Sequence, residues 1–251
     1  RGQLTIFVII AIVIVALILA YFIFRPKIIT KKFPDTPQGY MESCMKEKAE
    51  KALNRLVEQG GYLEPEFYKL YQDKKVAYLC YTEEFYKGCS MQKPFLKQHI
   101  EEQIKKGVEE DVINCLKKLK TKLEKKGNSV LLSESNNLVV EIVPEKINLK
   151  LNTDITITKE TSEKIKKFQT SIPSPLYNQL MIASSILNWE ARYGDSDPLT
   201  YMIYYPNIKV EKTKLGDGTT IYTITDRPTS QHFIFASKSF VWPAGFTTPP
   251  T

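Results

Sequence analysis

Two short patterns in this sequence have residue types that hydrolytic catalysis uses. Ser43 and Lys46 stand one helical turn apart, the spacing at which a lysine can deprotonate a serine nucleophile. The Ser-Asp-Asn and Lys-Thr-Gly motifs that accompany such a pair are absent from the sequence. The second pattern, Gly194-Asp195-Ser196, runs directly into Asp-Pro and is typical of a turn. Neither pattern predicts an active site.

The sequence also lacks patterns typical of metal or cofactor binding. Its two histidines, His99 and His232, lie far apart and outside any ligand-like cluster. The turn sequence at residues 215–220 is too short for a calcium loop and lacks the terminal glutamate. A run of carboxylates fits the solvated face of a helix: Glu101, Glu102, Glu109, Glu110 and Asp111. We therefore expect no metal, no cofactor and no enzymatic activity.

The four cysteines are a stronger chemical signal. Cys80 and Cys89 flank a short polar and aromatic loop that a disulfide would close, while Cys44 and Cys115 fall on the apolar faces of two predicted helices. We predict disulfides Cys44–Cys115 and Cys80–Cys89, which would indicate an oxidising compartment. Free thiols are the alternative, because cysteine is often buried as a small hydrophobic residue. A zinc site is disfavoured, since no pair has CxxC spacing.

Residues 4–24 form an apolar run whose only hydroxyl side chains are those of Thr5 and Tyr21. As a helix of about 21 residues it would measure about 31 Å, the thickness of a hydrocarbon core. No small-x-small cleavage site follows it, so we expect a transmembrane or filament-core helix. Its orientation stays open, because Arg25 and Lys27 favour a cytoplasmic position for the residues that follow, whereas the cysteines favour an external one.

The residues at the start of this run are more specific. Arg1-Gly2-Gln3 followed directly by an apolar helix resembles the processing site of archaeal type IV pilin-like precursors, which a dedicated peptidase cuts after a basic residue and glycine. Phe7 departs from bacterial-type pilins, which carry a glutamate there. The resemblance implies a filament in which the apolar helices bundle, with alanines where helices approach closely. The proposed assembly residues are Gln3, Leu4, Phe7, Ala11, Ala16 and Ala20.

A later segment resembles a group of membrane-anchored archaeal proteins. These begin with a Gly-Gln-x-Thr-x-Phe apolar helix, carry a Cys-led helix ending in Gln-Gly-Gly-Tyr, and have a second cysteine on a later helix. The corresponding residues here are Gly2, Gln3, Thr5, Phe7, Cys44, Gln59, Gly60, Gly61, Tyr62 and Cys115. This resemblance implies a topology and no activity.

Periodicity predicts an α+β fold: a long N-terminal apolar helix, then a globular domain of two to three helices packed on an antiparallel sheet. Apolar residues at helical spacing predict helices over residues 40–59 and 94–127. A further helix is predicted from about Thr161, interrupted at Pro173 and Pro175, and resuming over residues 176–192.

Alternating polar and apolar residues predict the strands. Residues 129–132, 137–143 and 147–158 are expected to form an antiparallel meander. A hairpin is predicted around Gly216-Asp217-Gly218, with a last strand within residues 231–240. The predicted domain boundaries are an apolar helix at 1–24, a Pro-rich linker at 25–39, an extracellular α+β domain at 40–239 and a Thr/Pro-rich tail at 240–251.

Composition limits the partners. The net charge is +7, but lysines and glutamates are interleaved, and the most basic tract, residues 117–127, fits the solvated face of a helix. We expect no nucleic-acid partner. Aromatic residues cluster between Tyr62 and Tyr86 and again at Tyr201, Tyr204 and Tyr205. Core packing is one explanation, and contact with another subunit or surface is the other.

Two functional interpretations follow, and both place the folded domain at the cell surface. The first is a structural, pilin-like subunit of an extracellular archaeal filament, assembled from copies of itself through the N-terminal helix. The second is a single-pass membrane-anchored ectodomain that binds a protein partner in a cell-envelope complex. The membrane is a partner before assembly in the first case and permanently in the second.

Overall fold

The computed structural model describes residues 14–15, 36–133 and 135–241 of the 251-residue chain. The chain divides into two compact units, Arg1–Phe33 and Pro34–Thr251. In the first unit only Ile14 and Val15 are described, and both are helical and exposed. The predicted N-terminal helix and its assembly residues otherwise lie outside the described residues. Within the described part of the chain, no helix has the length and apolar character needed to cross a membrane.

The second unit is α+β, as predicted, with four helices in its described residues. They are α1 (Pro37–Glu58), α2 (Leu96–Lys125), α3 (Leu176–Tyr193) and α4 (Pro198–Tyr204). α1 begins inside the predicted linker, because the Thr36 hydroxyl caps the helix by accepting a hydrogen bond from the Gly39 N–H at 3.2 Å. The prediction of two to three helices missed the seven-residue α4.

The described residues of this unit form ten strands, which we number β1 to β10 in chain order. They are β1 (Tyr68–Tyr71), β2 (Lys74–Tyr81), β3 (Ser90–Met91), β4 (Ser129–Leu132), β5 (Asn137–Val143), β6 (Lys146–Thr158), β7 (Ser162–Pro173), β8 (Ile208–Lys214), β9 (Thr219–Asp226) and β10 (His232–Lys238). The predicted β8–β9 hairpin and the last strand are present, whereas β1, β2 and β3 were not predicted.

The first sheet has the order β1-β2-β10-β9-β8, with β3 also paired to β2. Its pairs are antiparallel except β2 with β10, which run parallel and join residues far apart in sequence. The prediction of a purely antiparallel sheet is therefore wrong at this pair. Strands distant in sequence can pair in parallel because the intervening chain supplies the long crossover that such a pair needs.

The second sheet is organised around β6 and has the order β4-β6-β5, with β7 on the other edge of β6. β4 pairs with the second half of β6 and β5 with the first half, so the three predicted strands do not form a meander. Alternate β6 residues from Ile147 to Ile157 are buried, as the period of two predicts.

The prediction of a helix beginning near Thr161 is wrong, because residues 162–173 form strand β7. The apolar residues Ile165, Phe168 and Ile172 have helical spacing in sequence. In the structure β7 pairs with β6 along most of its length, and Phe168, Thr170 and Ile172 point inward as alternate residues. Pairing with the adjacent long strand decides the conformation here, since local propensity is a weak determinant.

The helices pack against both sheets. α1 contacts β7 of the second sheet and β10 of the first, α2 contacts β4 and β5, and α3 contacts β9 and β10. Cys44 on α1 and Cys115 on α2 form a disulfide with a Cα–Cα distance of 6.3 Å. Cys80 and Cys89 form the second disulfide, with a Cα–Cα distance of 5.3 Å. The structure therefore contains the two disulfides in the predicted pairing, a feature typical of oxidising compartments outside the cytosol.

Candidate interaction surface

The last two helices carry large apolar side chains on their exposed faces. α3 already has a buried apolar face, which includes Leu180, Ala183 and Leu187. On its other side, residues at intervals of four form a stripe of Met181, Ser185, Trp189 and Tyr193. Met181 is 42% exposed, Trp189 50% and Tyr193 60%, and the Trp189 and Tyr193 rings lie 4.9 Å apart. An amphipathic helix of a monomeric domain would place polar residues here.

α4 lies beside this stripe. Residues typical of a helix start precede it, and its one buried ring, that of Tyr201, contacts α3. The Asp197 carboxylate caps α4 by accepting a hydrogen bond from the Leu199 N–H at 3.0 Å, and Pro198 occupies the first turn. Tyr201 is buried, and its hydroxyl lies 2.9 Å from the Ser185 hydroxyl on α3. This hydrogen bond links α4 to α3, and α4 also packs against β8.

The remaining large side chains of α4 point to solvent. Leu199 is 62% exposed, Ile203 74% and Tyr204 76%. We define the α3–α4 surface as the exposed apolar residues Met181, Trp189, Tyr193, Leu199, Ile203 and Tyr204. Soluble monomers rarely expose large contiguous apolar patches, and where such patches occur they mark sites of protein or membrane contact.

Few charges lie in this region. Between Leu176 and Tyr205 the charged residues are Glu190, Arg192, Asp195 and Asp197. Glu190 is 1% exposed, and Asp195 forms an ion pair with Lys212 of β8. Arg192 and Asp197 are exposed. The chain as a whole is 25% charged, so the α3–α4 region has fewer charged residues than the chain average, as interface cores do.

A buried polar cluster fixes α3 to the first sheet. Glu190 points away from the α3–α4 surface and accepts hydrogen bonds from the Tyr222 hydroxyl of β9 and from the Ser237 hydroxyl of β10, the latter at 3.0 Å. The Ser239 hydroxyl donates to the Glu190 carbonyl oxygen at 2.9 Å. Burial raises the pKa of the Glu190 carboxyl, and burial also raises the pKa of Tyr222. With Glu190 almost inaccessible, this cluster can hold α3 in place but cannot reach a substrate.

The Cys80–Cys89 loop contacts the C-terminal end of α3, next to Glu190. The Cys89 N–H donates to the Ser239 hydroxyl at 3.0 Å, which links the disulfide to the Glu190 cluster. At Gly88 a Cβ atom would collide with the Ala191 carbonyl group of α3, so only glycine permits this approach. Phe85 and Tyr86 in this loop are 75% and 57% exposed, which adds aromatic area near the end of α3.

Part of the first aromatic cluster, between Tyr62 and Tyr86, packs on itself. The Phe67, Tyr78 and Tyr81 rings lie 4.4 to 4.9 Å from one another, and Tyr78 is buried. Phe67 and Tyr78 also line a cleft of about 620 Å³ that includes Lys93 and Lys106. His99 lies next to Tyr62, and burial lowers its pKa to about 4. This cleft is mixed in polarity and open, and it brings together no catalytic or metal-ligating set.

The structure separates the residues that sequence reasoning singled out. Gly194 ends α3 in the left-handed conformation with φ of 68°, so Gly194-Asp195-Ser196 forms the turn that the sequence predicted. Among the aromatic residues near position 200, Tyr201 is buried whereas Tyr204 and Tyr205 are exposed. No group of three His, Cys, Asp or Glu residues suited to a metal ion occurs among residues 36–133 and 135–241.

Sequence reasoning missed the exposed stripe of α3 and the Glu190 cluster. A signal for the stripe was present, since Met181, Trp189 and Tyr193 recur at four-residue multiples opposite an apolar face that is already complete. No sequence signal marked Glu190, because its partners come from β9 and β10.

Comparison with known proteins adds no assignment: the chain matches no protein family model, no curated protein and no solved structure.

Proposed function

We propose that this chain is a structural subunit of an extracellular assembly. Copies associate through the apolar run at residues 4–24, and the folded domain contributes the α3–α4 surface as a contact between neighbours. The single observation that carries the proposal is the exposure of six large apolar residues on two adjoining helices. The two disulfides support an extracytoplasmic location. The resemblance of residues 1–24 to pilin-like precursors supports a filament.

The rigidity of the surface suits this role. α3 is attached to the first sheet through Glu190, to the Cys80–Cys89 loop through Gly88, and to α4 through Ser185. An interface that is fixed before binding loses little conformational freedom on association, which favours affinity. Trp189 and the tyrosines are residue types that dominate binding energy at interfaces.

A second candidate is a membrane-anchored ectodomain that binds a different protein through the same surface. The length of the apolar run favours it, because about 21 apolar residues suffice to span a bilayer without protein neighbours. The two candidates share the α3–α4 surface and differ in what surrounds the apolar run.

Charge substitutions on α4 test the shared surface. Leu199→Lys with Ile203→Lys places two cations on exposed positions, so the fold should be unchanged, within about 0.5 kcal/mol. Assembly should weaken by at least about 30-fold if each residue is part of the interface core. The matched control is Leu131→Lys on β4, where the leucine is 72% exposed and outside the surface. Cross-linking in cells and electron microscopy measure assembly, and unchanged assembly in the α4 variant would refute the proposal.

A second pair of substitutions separates the two candidates. Ala16→Leu with Ala20→Leu keeps the run apolar and long enough to span a bilayer. In a filament, where helices pack closely at small residues, it should abolish assembly while the protein stays in the membrane fraction. Normal assembly in this variant would exclude the filament and leave the anchored ectodomain.

A further inference from the structure

A small cavity lies within the α3–α4 surface. Its volume is about 190 Å³, the space of about six water molecules, which suits a single ring rather than a drug-sized molecule. Its walls come from α3, from α4 and from the segment between the two helices. We call it the α3–α4 pocket and define it by its lining residues Ser185, Trp189, Ser196, Asp197, Thr200 and Tyr201.

The wall residue Ser196 has a hydroxyl group without a partner in the fold. Ser196 is 4% exposed, and its hydroxyl makes no hydrogen bond with any described residue. The backbone of Ser196 is held in place, because its carbonyl oxygen accepts a hydrogen bond from the Lys212 ammonium at 2.9 Å. A buried hydroxyl without a partner lowers stability, since it loses hydrogen bonds to water and gains none. In the wall of a pocket, such a group points to a ligand that supplies the missing hydrogen bond.

The other polar groups of the pocket are held by hydrogen bonds and keep unused hydrogen-bonding capacity. The Ser185 and Tyr201 hydroxyls lie 2.9 Å apart, and this pair uses one hydroxyl hydrogen and leaves the other to donate. The Asp197 carboxylate accepts from the Leu199 N–H at 3.0 Å and from the Thr200 hydroxyl at 3.3 Å, which leaves lone pairs on both oxygens. The pocket therefore combines hydroxyl donors with carboxylate acceptors.

This combination disfavours most classes of ligand. An ammonium or guanidinium group has donors only, so it would pair with Asp197 and leave the hydroxyl hydrogens of the pocket unpaired. An anion would be repelled by Asp197, and the described residues that line the pocket include no cation. An apolar group would leave every polar group unpaired. A neutral ligand with several hydroxyl groups can donate to Asp197 and accept from Ser196 at the same time.

Trp189 supplies an apolar wall for such a ligand. It is 50% exposed and lines the pocket, so part of its side chain is open to contact. A sugar ring carries hydroxyl groups around its edge and C–H groups on its faces, and these faces pack on flat aromatic side chains. A tryptophan beside hydroxyl and carboxylate groups therefore matches both parts of a sugar ring.

We propose that the α3–α4 pocket binds one neutral sugar ring, which is a free monosaccharide or the terminal unit of a glycan. The ring packs on Trp189, donates hydroxyl hydrogens to Asp197 and accepts a hydrogen bond from Ser196. A ligand of about twelve non-hydrogen atoms with ordinary ligand efficiency has a dissociation constant of about millimolar. This inference goes beyond the proposed assembly role and does not rest on it.

Fluorescence titration of the full chain tests the proposal. Trp242→Phe leaves Trp189 as the one tryptophan of the chain, and a zwitterionic detergent without a sugar headgroup avoids occupying the pocket. The probes are glucose, galactose, mannose and N-acetylglucosamine, each as the free sugar and as its methyl glycoside. We expect a saturable change in Trp189 emission with at least one of them. A response to the methyl glycoside assigns the end of a glycan, and a response to the free sugar alone assigns a monosaccharide.

Ser196→Ala in the same chain distinguishes a ligand-binding hydroxyl from a residue that only packs. The substitution removes a hydroxyl without a partner in the fold, so thermal stability should stay the same or rise, while sugar affinity should fall by up to about 10-fold. The matched control is Thr153→Val on β6. Thr153 is 5% exposed and its hydroxyl also has no described partner, but it lies outside the pocket. Sugar affinity should be unchanged in this control.

Three results would overturn the proposal. The first is no saturable response to any of the sugars up to about 100 mM, far above the expected dissociation constant. The second is equal sugar affinity in the Ser196→Ala and Thr153→Val proteins. The third is a saturable response to lysine methyl ester in place of the sugars, which would assign a cationic partner to the pocket.

The Leu199→Lys, Ile203→Lys variant separates this proposal from the assembly role, because neither residue lines the pocket. We expect this variant to lose assembly and to keep sugar binding. Loss of assembly in a protein that never responds to sugar would leave the assembly role and remove the sugar site. Normal assembly together with a saturable sugar response would leave the sugar site and remove the assembly role.

Discussion

Removing the two disulfides one at a time should destabilise the folded domain by different amounts. The perturbations are Cys44→Ala with Cys115→Ala, and Cys80→Ala with Cys89→Ala. The first pair joins residues 71 positions apart and the second pair residues 9 apart. A disulfide mainly restricts the unfolded chain, and the restriction grows with the logarithm of the loop length. The Cys44–Cys115 disulfide should therefore contribute more to the free energy of unfolding than Cys80–Cys89, although both pairs are buried.

The magnitude follows from these separations. The chain-entropy relation gives about 4.4 kcal/mol for a 71-residue loop and about 2.6 kcal/mol for a 9-residue loop at 25 °C. All four cysteines are at most 9% exposed, so the loss of packing on substitution is similar in the two variants and largely cancels from the comparison. The expected difference in the free energy of unfolding is about 1.8 kcal/mol.

Urea unfolding of the chain from Pro34 onward measures this difference. With a denaturant dependence of about 2 kcal/mol per molar, the midpoint should fall by about 2.2 M without Cys44–Cys115 and by about 1.3 M without Cys80–Cys89. The unsubstituted domain in a reducing agent should match a variant that lacks all four cysteines. Equal midpoints for the two variants, or a larger loss for the short loop, would refute the loop-entropy reasoning. Peptide mapping without reduction checks the pairing itself, and four free thiols would contradict both disulfides.

The chain from Pro34 onward should be soluble and unfold cooperatively, since this unit has its own core; aggregation without a cooperative transition in gel filtration and thermal melts would contradict this. Glu190→Gln should gain stability relative to the unsubstituted domain as pH rises. Because the pKa of Glu190 is raised in the folded state, the stability that its protonated carboxyl contributes is complete below the unfolded pKa of about 4.5 and is lost as pH rises through the folded pKa. If the urea midpoints of the two proteins differ by the same amount at all pH values, Glu190 does not contribute a pH-dependent stability. Gly88→Ala should destabilise the domain by about 1–3 kcal/mol, because its Cβ would overlap the Ala191 carbonyl group. Gly216→Ala is the control, since no atom lies within 4 Å of its Cβ position, and equal thermal stability of the two variants would mean that the loop can move away from α3.

The sequence alone determined the elements whose signals are local. α1 and α2 follow from apolar residues at helical spacing, and the β8–β9 hairpin follows from alternation on both sides of Gly216-Asp217-Gly218. The inner disulfide also follows from local sequence, because nine residues separate Cys80 from Cys89. In each case the residues that form the structure lie close together in the chain, so pattern and structure coincide.

The tertiary structure decided the features that depend on distant residues. Residues 162–173 have helical spacing but become β7, because β6 provides a partner along most of the strand. The parallel β2–β10 pair and the hydrogen bonds from Tyr222 and Ser237 to Glu190 join segments that no local pattern relates. The α3–α4 surface depends on the same principle: which face of a helix is buried is set by what packs on it, and α3 carries large apolar side chains on its exposed face as well as on its buried face. Only the packed structure shows that Leu187 faces the core while Trp189 is left half exposed.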